Sequence, residues 1–364
     1  MAFLLTFLGK GGVGRSTMAV AAAKRFASEG KRVLLAIQDP TPAADYLVGQ
    51  SLTIDPQVLA PQLWVVQLQT AALLAKSWDS VKELEAQYLR TPFFKAVYGE
   101  ELGVLPGMDS ALALNAIREY DAENAYDVIV YDGPGGITTL RMWGMPEILS
   151  WYTRRFRQVF QDSDLGRALS PFVQPVASAV LNVNWSGDIL DQPTNQMSDV
   201  LGSGRDAVND ANRVAAFLVT TADPAAVATA KYLWGSAQQV GLTVGGVLLN
   251  PVVGDSLDPS NFAPLAITPL PKFANQNWDA LVAALPDLNR AASMPSPVAI
   301  DLERSTVRLF LPGFTKQQVK LTQYGPEVTI EAGDQRRNII VPPSLAGKPV
   351  QGAKFQDQYL IITF

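Results

Sequence analysis

The chain has 364 residues, of which 48% are hydrophobic and 17% are charged, and its net charge is -5 at pH 7. This length and composition predict a globular protein of roughly two or three domains with a large core. The negative charge, with only small basic clusters, argues against a nucleic-acid partner. Neither cysteine nor histidine occurs, which excludes thiolate and imidazole metal sites and leaves oxygen ligands, the kind that Mg²⁺ prefers.

The sequence also bears on location. No apolar run reaches about 18 residues, so we expect no permanent insertion into a membrane. No charged segment precedes the first apolar run, which argues against a cleaved secretion signal. We therefore expect a cytoplasmic protein.

The first predicted elements surround a glycine-rich turn. Phe3–Leu8 is an apolar run typical of a buried strand, and Met18–Ser28 has the pattern of a helix. A strand, a glycine turn and a helix in this order wrap backbone N–H groups around a phosphate. The alternative is an ordinary glycine-rich turn of an α/β protein. The glycines between the two elements are Gly9, Gly11, Gly12 and Gly14.

Two carboxylates follow predicted strands. The strand Val33–Ile37 leads to Asp39, and the strand Tyr126–Tyr131 leads to Asp132. The carboxyl ends of parallel strands face the ligand crevice of a doubly wound sheet. Asp39 would therefore orient a water, and Asp132 would hold Mg²⁺, directly or through water, together with the Ser16 hydroxyl. The alternatives are an Asp-Pro turn and a helix-capping aspartate.

Further alternation of strands and helices predicts the fold class. The pattern indicates an α/β domain with a doubly wound, mostly parallel sheet of the phosphate-loop NTPase type. The remaining predicted elements of this domain are the strands Leu63–Leu68, Val214–Thr220 and Val244–Leu249, and the helices Ala72–Leu89, Pro224–Val240 and one that ends at Tyr120.

A second domain is predicted beyond a proline-rich stretch. We assign residues 1–290 to the α/β domain, residues 291–297 to a linker and residues 298–364 to a small all-β sandwich. The short alternating runs that predict this sandwich are Ala299–Leu302, Thr306–Leu311, Gln318–Gln323, Glu327–Glu331, Arg336–Val341 and Tyr359–Phe364.

Five spaced segments carry a family resemblance. GKGGVGRST, QDP, LPGMD, YDGPGGITTLR and LLNP, in this order, resemble the arsenite-pump ATPase family, whose eukaryotic members include the ATPase that targets tail-anchored membrane proteins. The resemblance covers about residues 1–290. It implies a deviant phosphate loop, ATP and Mg²⁺ as cofactors, and a homodimer.

The resemblance also implies roles for individual residues. Lys10 would reach across a dimer interface to the partner's nucleotide, and Asp39 would orient the attacking water. Asn250 would read the adenine, with Pro271 and Phe273 passing over the other side of the base. The nucleotide cradle would comprise Gly9, Gly11, Gly12, Val13, Gly14, Arg15, Ser16 and Thr17.

The chain departs from the family in two ways that bear on function. Arg15 stands where the phosphate loop has lysine, and this exchange is not conservative because the guanidinium is bulkier and planar. We expect slow hydrolysis, and a non-hydrolysing nucleotide-binding scaffold is an alternative. The missing cysteines remove the family's zinc clamp, so a dimer needs another interface. They also remove thiols for arsenite, which disfavours the other alternative, an anion- or arsenite-pump ATPase subunit.

The stretch 140–212 is predicted to be a helical insertion that binds clients. In the targeting ATPase the equivalent insertion holds a hydrophobic helix, and adaptable Met-rich surfaces suit that task. The alternative is that its apolar residues belong to an ordinary core. We expect the protein to be a chaperone or targeting factor for tail-anchored membrane-protein segments. The candidate client-binding residues are Met142, Trp143, Met145, Ile148 and Trp151.

The carboxyl-terminal domain resembles a second family. Its segments FLPGF, QVKL and VTI, with residues 352–364, resemble the α-crystallin domain of small heat-shock proteins. The alternating-isoleucine tail that those proteins use to assemble is not seen in this sequence. We therefore expect a sandwich that docks on the ATPase domain.

Overall fold

The computed structural model describes residues 1–88, 97–162, 193–250, 257–273 and 277–364. Its helices are α1 (Arg15–Ser28), α2 (Ala43–Val48), α3 (Thr70–Tyr88), α4 (Met108–Ala122), α5 (Ile137–Asp162), α6 (Pro193–Asn209), α7 (Pro224–Gln239) and α8 (Trp278–Ala284). The strands of the first domain are β1 (Phe3–Leu8), β2 (Val33–Ile37), β3 (Gln57–Ala60), β4 (Leu63–Gln67), β5 (Val128–Asp132), β6 (Val214–Thr220), β7 (Thr243–Leu249) and β8 (Ile267–Pro269).

These eight strands form one sheet in the order β3-β4-β2-β5-β1-β6-β7-β8. Every neighbouring pair is parallel except β3 with β4. Alternate residues of β1 enter two cores: Leu4 and Leu8 pack with α4, α5 and α7, whereas Leu5 and Phe7 pack with α1 and α8. The predicted doubly wound, mostly parallel fold is therefore confirmed.

Several boundaries differ from those predicted. The first helix begins at Arg15 instead of Met18, so the end of the glycine loop is already its first turn. β5 includes Asp132 as its last residue, whereas the predicted strand stopped at Tyr131. α2, β3, β8 and α8 were not predicted. They are short, between 3 and 7 residues, and their apolar patterns are too brief to detect.

The helical insertion was predicted over residues 140–212. The structure shows α5 as one continuous helix of 26 residues with Pro146 in its interior, and α6 covers much of the other end. Residues 163–192, between these helices, lie outside the described part of the chain. Within the described ranges, no helix has the length and apolarity that crossing a membrane requires.

The carboxyl-terminal residues form two antiparallel sheets, as predicted. One has the order β14-β15-β10-β9 and the other the order β11-β12-β13. They enclose a core of their own that includes Leu309, Ile330 and Ile362. The strands are β9 (Val298–Asp301), β10 (Thr306–Phe310), β11 (Val319–Tyr324), β12 (Glu327–Ala332), β13 (Gln335–Ile340), β14 (Gly352–Gln356) and β15 (Tyr359–Thr363).

The sandwich packs on the first domain through aromatic side chains. Trp234 of α7 and Phe310 of β10 lie with ring centroids 5.6 Å apart, and both are buried in the same core cluster as Phe262. The rings of Tyr232 and Phe314 also pack together, with centroids 5.7 Å apart. The apolar core of the first domain therefore continues into the sandwich.

Polar contacts surround this aromatic centre. Glu327 of β12 accepts hydrogen bonds from the Trp151 indole at 3.0 Å and from Arg154 at 2.9 Å. Arg141 pairs with Asp334. Arg337 of β13 donates to the Gln238 carbonyl at 2.6 Å and to Asn209 Oδ1 at 3.0 Å, and burial lowers the pKa of this guanidinium to about 10. The sandwich thus contacts α5, α6 and α7.

Candidate functional site

The glycine loop after β1 forms a concave stretch of backbone. Gly12 and Gly14 have φ of 84° and 96°, a conformation that side chains disfavour. A Cβ on Gly9 would collide with the Val219 carbonyl oxygen, and one on Gly14 would lie 2.8 Å from Asn250 Nδ2. The loop ends at the first turn of α1, where N–H groups are unpaired within the helix. This arrangement suits an anion such as phosphate.

The Arg15 side chain turns toward the loop that follows β5. Its Nη1 donates to the Pro134 carbonyl and, at 3.4 Å, to the Gly133 carbonyl. Gly135, with φ of 64°, makes room for the guanidinium, because a Cβ there would overlap it. Burial lowers the pKa of Arg15, and the charge of Asp132 opposes this. Arg15 thus joins the two loops, a contact that sequence reasoning missed.

Asp132 is buried at the carboxyl end of β5. Burial raises its pKa to about 6, against the opposing effects of a hydrogen bond from the Ser16 hydroxyl and the charge of Arg15. Ser16 therefore lies close enough to Asp132 to affect its pKa, and the shared role of the two residues at Mg²⁺ stays a prediction. A hydroxyl and a buried carboxylate are hard oxygen donors, which fit Mg²⁺. Within the described residues, no group of three or more acidic side chains could hold a metal ion.

Asp39 lies beyond the end of β2, the strand next to β5. The Thr41 N–H donates to its Oδ1 at 2.8 Å, and Gln67 Nε2 donates to its backbone carbonyl at 2.8 Å. The side chain is exposed, and its charge helps to raise the pKa of Asp132. The two predicted carboxylates therefore lie near each other on one edge of the sheet, with Asp39 oriented by its own turn.

A buried hydrogen-bond chain supports these strand ends. The Tyr131 hydroxyl donates to Gln38 Oε1, and Gln38 Nε2 donates to the Asp109 carbonyl at 3.2 Å. The Gln38 N–H donates to the Asp132 carbonyl at 2.9 Å. Burial also raises the pKa of the Tyr131 hydroxyl. Sequence reasoning did not single out Gln38; its position at the end of a buried strand was the available signal.

Asn250 lies at the end of β7, beside the glycine loop. Its Nδ2 donates to the Val13 carbonyl at 2.9 Å, so the side chain ties the two segments together. Pro271 is exposed beyond β8, and the Phe273 ring packs against Trp278 with centroids 4.5 Å apart. The structure places these three predicted residues at carboxyl ends of neighbouring strands. Their role in adenine binding stays a prediction.

Lys10, Gly11 and Gly12 form the exposed crest of the glycine loop, while Val13 is buried. Thr17 is half-buried in the first turn of α1. Because Lys10 is exposed, its side chain is accessible to a second molecule. The trans-acting role of Lys10 stays a prediction.

The five candidate client-binding residues divide between core and surface. Met142 and Trp143 are buried, and Trp143 packs edge-on against Tyr131 with centroids 6.0 Å apart. Met145 and Trp143 line a cavity of about 750 Å³ between α4, α5 and α6. Ile148 is exposed, and the Trp151 indole donates to Glu327. The alternative of ordinary core residues therefore describes Met142 well.

A glycine loop after a central parallel strand, with carboxylates at the ends of neighbouring strands, defines the class of phosphate-loop nucleotide-binding proteins. Within this class, a family model described as anion-transporting ATPase matches residues 2–263. A model described as an HSP20-like domain found in ArsA matches residues 303–364. The chain belongs to the anion-transporting ATPase family. Both predicted resemblances are confirmed.

Relatives with curated names agree with this assignment. The chain is 24% identical over 390 residues to a putative arsenical pump-driving ATPase of Prosthecochloris vibrioformis, covering 99% of this chain and 95% of the relative. It is 18% identical over 400 residues to putative arsenical pump-driving ATPase 1 of Aquifex aeolicus, covering 99% of both. It is 29% identical over 143 residues to an ATPase ASNA1 homolog of Plasmodium vivax, covering 39% of this chain and 36% of the relative.

Proposed function

We propose that this protein hydrolyses ATP as a cytoplasmic homodimer and uses the cycle to bind and release hydrophobic membrane-protein segments, tail-anchored ones in particular. The observation that carries the proposal is the juxtaposition of the glycine loop, Asp39 and Asp132 at one edge of the sheet. Membership of an ATPase family supports it. The client part rests on the cavity beside α5.

Hydrolysis would depend on positioning and electrostatics. The backbone N–H groups of the glycine loop would hold the phosphates. Asp39, whose Oδ1 is fixed by the Thr41 N–H, would orient a water with its other oxygen. Lys10, exposed on the loop, would reach the nucleotide of the second protomer and stabilise charge in the transition state.

Ser16 and Asp132 are the residues that would hold Mg²⁺. The Ser16 hydroxyl lies near enough to the Asp132 carboxylate to lower its pKa, which supports a shared site for the two oxygens. Burial disfavours a bare charge on Asp132, and a divalent cation would favour the ionised carboxylate. When bound, the cation neutralises phosphate charge. Asn250, Pro271 and Phe273 would form the adenine end of the site.

The cavity supports the proposal of an apolar client. Its wall includes Trp143, Met145, Leu149 and Leu201, and its volume of about 750 Å³ suits several apolar side chains. Methionine side chains adapt to varied apolar shapes. Met145 is the predicted client-binding residue that both lines the cavity and remains half-buried.

ATP turnover by the wild-type chain with Mg²⁺, measured beside the Asp39→Asn variant, tests the hydrolytic part. We expect turnover in the wild type and a loss of roughly 10²-fold or more in Asp39→Asn, because the variant keeps the size of the side chain and loses its charge. Equal rates in both proteins would contradict the proposal. Sedimentation of the ATP-bound protein measures its mass in solution and so tests whether it is a dimer.

Capture of a synthetic apolar segment of about 20 residues tests the client part. The Met145→Glu variant should weaken binding, since it places a charge in the cavity wall. Arg155→Glu changes an exposed site on the same helix, outside the cavity wall, and should bind as the wild type does. Equal binding by both variants would exclude the cavity as the client site.

A second candidate, a nucleotide-binding scaffold without hydrolysis, is favoured by the Arg15 contact with the carbonyls of Gly133 and Pro134. Persistent bound ATP with no ADP formed would establish it. A pump-driving role is suggested by the names of two relatives. It is disfavoured because the sequence has no cysteine to supply the thiolates that soft ions prefer, and arsenite-stimulated turnover would revive it.

A further inference from the structure

The loop of residues 133–136 is fastened to the glycine loop at two separate points. The Gly9 N–H donates to the Gly135 carbonyl at 2.9 Å. The Arg15 guanidinium donates to the carbonyls of Pro134 and Gly133. Because all of these hydrogen bonds connect the same two segments, a displacement of one loop is passed to the other.

The same loop is coupled to α5, which begins at Ile137. The Gly135 N–H donates to Thr139 Oγ1 at 2.8 Å, and both groups are buried. Thr139 lies in the first turn of the helix. The carbonyls that Arg15 holds are therefore one short step from the amino terminus of α5.

The geometry at Gly135 is matched to an arginine. A Cβ at this glycine would lie 2.7 Å from Arg15 Cδ and still closer to the guanidinium. Within the described residues, the hydrogen bonds of this guanidinium use only Nη1. Its planar fork carries five donors, so the Nε and Nη2 side has donors left for a second acceptor.

Lysine would not serve in the same way. An ammonium group is a compact point charge on a flexible stem, whereas a guanidinium offers donors along two edges. A lysine that turned toward a phosphate would release the two carbonyls of the loop. An arginine can hold both acceptors at once.

We propose that Arg15 is a positioning residue that bridges the nucleotide phosphate and the loop of residues 133–136, so that phosphate binding is transmitted to α5. One edge of the guanidinium holds the carbonyls of Gly133 and Pro134, and the other binds phosphate. The phosphate half of this inference rests on the proposed nucleotide-binding function. The loop half rests on the contacts of Arg15 alone.

Hydrogen exchange of the full-length, nucleotide-free protein tests the loop half. In Arg15→Lys we expect the amides of Gly133 and of residues 135–139 to exchange about tenfold faster than in the wild type, the order for one lost charge-assisted hydrogen bond. The control is Lys10→Ala, which removes a cation from the same glycine loop and should leave this exchange unchanged. Equal exchange in Arg15→Lys and the wild type would overturn the loop half.

The phosphate half is tested by repeating the exchange with saturating MgADP and by measuring its Kd. We expect Arg15→Lys to bind MgADP within about tenfold of the wild type, because the cation is retained. The added protection that MgADP gives residues 133–139 in the wild type should be lost in the variant. Protection of equal size in both proteins would overturn the bridging role.

These two arms separate this inference from the proposed function. Failure of the wild type to bind MgADP would overturn the proposed function together with the phosphate half. The nucleotide-free arm would still decide whether Arg15 holds the loop. Normal MgADP binding with unchanged exchange in both arms would overturn the inference and leave the proposed function standing.

Discussion

The edge of the sheet that carries the glycine loop, Asp39 and Asp132, the proposed nucleotide edge, and the contact with the sandwich are built on opposite principles. The edge consists of short segments with exposed groups such as Lys10 and Asp39, and hydrogen bonds, many of them from side chains to backbone carbonyls, join these segments. The sandwich contact centres on the buried rings of Trp234 and Phe310. Reactive groups must stay open to solvent and ligand, whereas a stable contact must exclude water. Changes at the edge should therefore alter turnover, and changes at the contact should alter stability.

The largest effect is expected at the centre of the contact. Phe310→Ala removes a ring that is 3% exposed and should lower the free energy of unfolding by about 3–5 kcal/mol, the cost of deleting a buried aromatic side chain. Urea unfolding followed by tryptophan fluorescence measures it. Ile300→Ala, at an exposed position of the neighbouring strand β9, is the control and should change stability by less than about 0.5 kcal/mol. Similar losses of unfolding free energy in both variants would contradict the prediction that the buried contact determines stability.

The counterpart at the nucleotide edge is Lys10→Ala. It should slow ATP hydrolysis roughly 10²–10³-fold, the order for one preorganised donor that stabilises transition-state charge. The free energy of unfolding should stay within about 0.5 kcal/mol of the wild-type value, because the side chain is exposed. Steady-state turnover and urea unfolding, measured on one preparation, give both numbers. An unchanged rate would refute the role of Lys10.

Asp132 makes the edge itself sensitive to pH. Its pKa is about 6 in the folded protein and ordinarily 3.8, so the folded state binds the proton more tightly than the unfolded state does. The stability that Asp132 contributes is fully present below pH 3.8 and is lost as the pH rises through about 6. This loss lowers the free energy of unfolding by roughly 3 kcal/mol at most. Unfolding of nucleotide-free protein in a chelating buffer, from about pH 4.5 to 8, should show this decline relative to Asp132→Asn. Parallel pH curves would contradict it.

The smallest effects are expected at the polar rim of the sandwich contact. Glu327→Gln should lower the free energy of unfolding by less than about 1 kcal/mol, because Arg154 is largely exposed and the new amide oxygen can still accept from Trp151. The loss should shrink in 1 M salt, where the screening length falls to about 3 Å. Asp334→Asn should cost less still, since Arg141 and Asp334 are both exposed. A loss above about 2 kcal/mol in either variant would place the stability of the contact at its rim.

The sequence was sufficient for features that depend on neighbouring residues. The fold class, the phosphate loop and the strand-end carboxylates follow from glycine spacing and from buried apolar runs, each contained in a few consecutive residues. The nearness of Asp39 to Asp132 follows from the same reasoning, because neighbouring parallel strands bring their carboxyl ends together.

Features that depend on distant residues were missed. Pro146 has no local reason to stand inside a helix, yet α5 continues through it, and its ring packs closely over Gly204 of α6. Arg15 contacts Gly133 and Pro134, which lie 118 and 119 positions further along the chain. Asn250 contacts Val13 across 237 positions. Such contacts are set by the assembled sheet, which no local pattern reports.

The length of α5 has a mechanical consequence. A helix of 26 residues is about 39 Å long, so a tilt of about 5° at its amino terminus would carry the far end through about 3 Å. Arg141 lies close to that fulcrum, whereas Arg154 lies several turns along the arm, and each is bonded to the sandwich. If α5 tilted about its amino terminus, the Arg154–Glu327 contact would be displaced more than the Arg141–Asp334 contact. Glu327, which bonds Trp151 and Arg154, therefore contacts α5 where a movement of the loop after β5 would be larger than at Arg141.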